Sequence, residues 1–178
     1  SLNTTSAATS SIKRTSNLWI PYTPLQSNFI SMSLGLGDDG KENVVRRWGL
    51  FDDNDGVYFE LNGSVLSVNI KNSIDSSINS VVQSDFNGAQ LDNVVVDDFV
   101  LDVSKFNLYW IDFQWQGVGI VRFGMFSPDG SRLTLHVFNN ANSKNTPYMK
   151  RGTLPFRMEQ FNTGIPSSGS EMKCACVG

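Results

Sequence analysis

The sequence predicts an all-β chain, an antiparallel β-sandwich or jelly roll, on three observations. Short runs rich in Val, Ile, Phe, Trp and Tyr recur along it, Gly, Asn and Asp turn signals separate them, and no window carries the i, i+3, i+4, i+7 apolar spacing of a helix. Residues 72–83 come nearest to a helical window, but Ser and Asn break it. Many short strands without a long helix exclude a parallel α/β fold and point to a sandwich. With 178 residues, of which 40% are hydrophobic and 11% aromatic, one core suffices.

In chain order, residues 1–17 are Ser, Thr, Asn and Ala with almost no large apolar side chain. Such a segment cannot offset its own ordering entropy, so it is predicted to be a flexible arm. A single sandwich domain is expected over 18–163 and a tail over 164–178. Within the domain, LWIPYTPLQSNFI, interrupted by Pro21 and Pro24, suits an extended segment lying across the core. NVVRRWGLF, VYFEL and SVLSVNI follow as strands joined by DDNDG and by Asn62-Gly63, giving two successive hairpins. Residues 72–93 are polar and mixed, and DNVVVDDFVLDVSK suggests a short strand before Lys105.

The centre of the fold is expected at FNLYWIDFQW, residues 106–115. Alternation puts Phe106, Leu108, Trp110, Asp112 and Gln114 on one face and Asn107, Tyr109, Ile111, Phe113 and Trp115 on the other. Both faces are largely apolar, which suits a strand inside a sheet. Gln116-Gly117 and Asp129-Gly130 then turn the chain through VGIVRFGMF and SRLTLHVFN, and TLPFRMEQF adds a further strand.

The formal net charge of −3 gives no electrostatic reason to bind nucleic acid, and no run of about 18 apolar residues spans a membrane. The pairs Lys13–Arg14, Arg46–Arg47 and Lys150–Arg151 are read as solvated surface or edge-strand charges. Charged residues are only 17% of the chain, so the polar surface falls to Asn, Ser, Thr and Gln. Neutral groups of that kind desolvate at lower cost against protein or sugar. Cys174 and Cys176, one residue apart, are expected to be reduced thiols.

Several clusters invite a chemical reading. Asp52, Asp53 and Asp55 in FDDNDG suggest calcium, but counting back from Gly56 puts Phe51 first and Asn62 twelfth in an EF-hand frame, so the template fails. Two readings of these residues stay open, a calcium loop of another kind and a tight acidic hairpin turn, of which the turn is the preferred one. WIDFQW is similar in outline to the E-I-D-x-E strand of family-sixteen β-glucanases. Trp110 and Gln114 or Trp115 stand where the two glutamates would be, and only Asp112 is a carboxylate. Retaining hydrolysis needs two carboxyl groups about 5–5.5 Å apart. His136 is the sole histidine, and Gly117 and Gly119 precede a strand, not the helix of a phosphate loop. No catalytic, metal or cofactor-binding residue is therefore assigned. Trp48, Trp110, Trp115, Tyr58, Tyr109 and Tyr148 could stack on sugar rings if exposed, though core is the commoner place for them.

The blocks GLFDDNDGVYFELNG, QSDFNG, LDVSKFNLYWIDFQWQGVGIVRFGMF, HVFNNAN and YMKRGTLPFRMEQFNTG, in that order, resemble a β-rich domain of virion structural proteins from tailed phages and related environmental viruses. The resemblance implies a viral structural protein, capsid- or tail-associated and located in the virion. Its expected partners are other copies of itself, as a homo-oligomer, and other virion proteins, and it carries over no catalytic residues. In relatives the C-terminal segment runs on, so the resemblance leaves open that this chain is a fragment or a processed product of a longer protein. The alternative expectation is a carbohydrate-binding, lectin-like module, with a glycan partner, used in host-receptor attachment.

Overall fold

A computed structural model describes residues 1–91 and 99–178. Twelve strands occur among them: β1 (Leu2–Thr4), β2 (Ser11–Ile20), β3 (Asn28–Gly35), β4 (Val44–Phe51), β5 (Gly56–Asn62), β6 (Val65–Asn72), β7 (Ser77–Val82), β8 (Phe106–Phe113), β9 (Val121–Phe126), β10 (Arg132–Phe138), β11 (Leu154–Asn162) and β12 (Ser170–Val177). They build two antiparallel six-stranded sheets packed as a sandwich. One, the β8 sheet, runs β1-β12-β3-β8-β9-β10; the other, the β4 sheet, runs β2-β11-β4-β5-β6-β7. The predicted all-β class holds.

Alternation along each strand fills the space between the sheets. Tyr109, Ile111 and Phe113 of β8 point inward, as do Trp48 of β4, Phe59 of β5 and Phe123 of β9. Trp48 stacks on Phe59 at 5.6 Å, and Phe123 meets Phe59 edge-on at 5.2 Å, so rings from both sheets interlock at the centre. The expected hairpins and the β8-β9-β10 meander are present. One turn is shifted by a residue. Asn62 pairs with Val65, leaving Gly63 and Ser64 as the turn, and only Gly63 has positive φ, at 57°. A two-residue turn with glycine first replaces the expected Asn-Gly turn.

Four segments depart from expectation. Residues 1–17 are not a free arm: β1 pairs with β12, and β2 pairs with β11 along the edge of the other sheet. Polar groups hold them there, since Asn162 Nδ2 donates to the carbonyls of Thr5 and Ala7, and Ser16 Oγ accepts from Phe156 N–H. The 164–178 tail contains β12, which lies between β1 and β3. The segment after Pro24 becomes β3, beside β8, and the polar stretch after residue 72 contains the edge strand β7. The strand expected in DNVVVDDFVLDVSK falls on residues 92–98, outside the described residues.

Candidate ligand-binding face

Because β8 sits between β3 and β9, its outward residues form the middle of a broad face. Phe106, Leu108, Trp110 and Asp112 share that face, as alternation predicts, and across β3 they meet Gly35, Ser33, Ser31 and Phe29 in register. Phe106 is 54% exposed and Phe29 45%, while Leu108 is also exposed. Trp110 is different: it lies outside the sandwich core yet is only 2% exposed.

Neighbouring side chains account for its burial. Trp110 pairs with Gly124 of β9, and a Cβ at Gly124 would come within 2.1 Å of the indole. Glycine there lets the ring lie flat across β9, where Nε1 donates to the Met125 carbonyl at 3.1 Å. Phe29 stacks beside it at 6.0 Å, and the Arg132 guanidinium of β10 covers both rings, 4.5 Å from Phe29 and 4.7 Å from Trp110. The expectation that Trp110 is a core residue is thus met in burial but not in place. Trp48 and Tyr109 belong to the core, while Trp115 is half-buried and its Nε1 donates to the Met149 carbonyl.

The charges of this face are sparse. Asp112 Oδ2 accepts from Arg122 Nη1 at 3.2 Å, and its Oδ1 is buried without a partner. It is the only carboxylate on β3, β8, β9 and β10. Among the described residues, Arg132 has aromatic neighbours but no ion pair.

The outer face of the β4 sheet is the opposite case. Arg47 binds Glu60 at 2.5 Å and Glu159 at 3.1 Å and lies over the rings of Tyr58 and Phe161. Burial works against its charge, yet the two glutamates hold its proton above the ordinary range. Arg157 binds Asp53 at 2.6 Å and covers Phe51. Beneath this lattice burial pushes the Tyr58 phenol up to about 12. Its aromatics are roofed by mutually satisfied ions.

The acidic turn is a structural hub. Asp52 Oδ1 accepts from the N–H groups of Asn54 and Asp55, and Oδ2 binds Arg151 at 2.7 Å. Asp55, fully buried, accepts from the N–H groups of Ser73 and Lys150, tying three loops together. Asp53 is held below the usual carboxylate range by its hydrogen bond to Arg157. These carboxylates are occupied by cations and amides, and no cluster able to hold a metal occurs among the described residues.

Other residues singled out in the sequence are structural. His136 is buried, and its Nδ1 accepts from the Asn87 N–H at 3.3 Å. Tyr148 donates to the Gln114 carbonyl, and both cysteines are free thiols. Arg46, read as surface charge, is 1% exposed and bonds Asp38 through two nitrogens at 2.7 and 2.8 Å. Phe29 and Arg132 had not been singled out. Phe29 carries a readable signal, because it is an aromatic out of phase with the inward Ile30, Met32 and Leu34.

No family model and no curated protein matches this chain. Solved structures share its fold. A family 16 glycosyl hydrolase protein from Mycobacterium smegmatis has a TM-score of 0.58 at 9% identity, covering 93% of this chain and 66% of its own. A legume lectin-like domain from Entamoeba histolytica has a TM-score of 0.53 at 9% identity, covering 98% and 81%. The Emp46p carbohydrate recognition domain, in metal-free form, has a TM-score of 0.50 at 9% identity, covering 97% and 80%. At such identities the likeness establishes a shared sandwich architecture.

Proposed function

We propose that this chain is a carbohydrate-binding module whose ligand lies on the outer face of the β8 sheet. The observation that carries the reading is the exposed aromatic surface of Phe29 and Phe106 beside the buried Trp110–Arg132 stack. The C–H faces of a sugar ring pack on exposed aromatic rings, while Ser31, Ser33 and Thr134 offer hydroxyls to its polar edge. The lectin-like and carbohydrate-recognition names of the neighbours above support it. Phe29→Ala is expected to weaken glycan binding about tenfold, the loss of one stacked contact, while the chain stays folded. Glycan-array screening followed by calorimetry measures this, and an unchanged affinity would count against the face.

We infer further that the module binds without turnover. Asp112 stands alone on these four strands and is engaged by Arg122, so the pair of carboxyl groups that glycoside hydrolysis needs is not assembled on them. Polysaccharide hydrolysis abolished by Asp112→Ala would overturn this.

The virion-assembly reading is a second proposal, which the sequence blocks and β2 favour. That edge strand is ten residues long and almost wholly exposed, with Leu18 and Trp19 at the surface, so its outer edge can pair with another chain. Light scattering on the purified chain and its location in particles test it. A strict monomer absent from particles rejects it.

A further inference from the structure

Resting on the glycan reading, we propose that the β8-sheet face takes a sugar ring bearing a carboxylate, with Arg132 as the residue that binds it. The outer charges of the β4 sheet answer one another: Arg47 with Glu60 and Glu159, Arg157 with Asp53. On the β8 sheet Arg122 has Asp112. Arg132 is exposed and, among the described residues, has no carboxylate partner.

Stacking also prepares the group for an anion. The guanidinium carbon lies over Phe29 and Trp110, at 4.5 and 4.7 Å, and the side chain is exposed, so the fork of its N–H donors is open to a ligand. That fork matches the two oxygens of a carboxylate. Because the rings already restrain the arginine, a ligand meets a donor set with little rotamer entropy left to lose. Phe29 keeps part of its ring exposed beside Arg132, so a sugar can pack against that part while its carboxylate reaches the guanidinium. Gly124 contributes by letting the Trp110 indole lie flat beneath the guanidinium.

The test uses the full chain against glucuronate-terminated and sialate-terminated oligosaccharides, each beside the same glycan with its carboxyl group esterified. Wild type is expected to bind at least one acidic set about 10- to 100-fold more tightly than its ester, the range of a charge-assisted hydrogen-bond pair. The two acidic arms identify which sugar is taken. Arg132→Gln keeps a polar side chain with an aliphatic stem and removes the charge, so it should erase that preference while binding of the esters persists. Equal affinity for acid and ester, or an unchanged preference in Arg132→Gln at an unchanged melting temperature, overturns the carboxylate inference and leaves the glycan reading standing. Binding to none of the four ligands or to any arrayed glycan overturns the glycan reading itself.

Discussion

Gly124 shows how much one absent side chain can organise. Adding a methyl group drives it into the Trp110 indole at 2.1 Å and close to the Leu133 carbonyl. Gly124→Ala should therefore cost about 1–3 kcal/mol, the usual range for overpacking, read by urea denaturation. It should also blunt ligand binding, because Trp110 can no longer lie flat. His136 makes a prediction of a different kind. Burial holds its imidazole below the ordinary value, and the Asn87 N–H donates to its ring, so the folded state favours the neutral form. As pH falls below about 6.5 the unfolded chain takes up the proton first. The stabilisation is present above that pH and is lost as pH drops through the folded pKa. Denaturation midpoints measured from about pH 7.5 to about pH 5 should fall in wild type, and fall less in His136→Gln.

At the scale of elements, the legible strands were those whose inward residues are apolar and regularly spaced, such as β4, β5, β6 and β8. The missed ones share a physical cause. β2 and β7 are edge strands exposed along most of their length, so burial imposes no alternation on them, and β12 is apolar only in part. What orders β2 is a ladder of backbone bonds to β11 plus the side chain of Ser16, while Asn162 ties down the Thr5–Ala7 stretch before it, and no hydrophobic pattern announces either. The prediction that separates an arm from a strand is deletion of residues 1–17. A free arm would leave stability unchanged. Loss of β1 and most of β2 uncovers β11 and takes from the buried Gln160 amide one of its two acceptors, Thr4 Oγ1, leaving the Ser170 carbonyl. The truncated chain should melt several degrees lower by calorimetry, as a loss of at least about 2 kcal/mol implies for this size.

Over the whole molecule, the two sheets are joined by a polar bridge as well as by the ring core. Asp38 holds Arg46 of β4, Arg46 holds Gln160 of β11, and Gln160 reaches Thr4 of β1 and Ser170 beside it on β12. Burial pushes the Asp38 carboxyl upward, but its bonds to the Arg46 guanidinium outweigh that and hold it below the ordinary range. Asp38→Ala leaves a buried guanidinium unpaired and should cost about 3 kcal/mol, measured by chemical denaturation. In wild type the carboxylate's contribution is present above about pH 4 and lost as acid titrates through its folded pKa. The candidate site was legible in one strand only: alternation placed Phe106, Leu108, Trp110 and Asp112 together, but Phe29 and Arg132 join them through pairings across the sheet that a linear pattern does not display. Those same pairings govern how the molecule comes into being. β1 waits for β12, β2 for β11 and β3 for β8, so neither sheet can close until residues near the end of this sequence have been made. Contacts so distant along the chain place folding in the slow, millisecond-to-second class, and during synthesis the ribosome would release β3 and β4 with apolar faces still uncovered, in need of a chaperone's shelter.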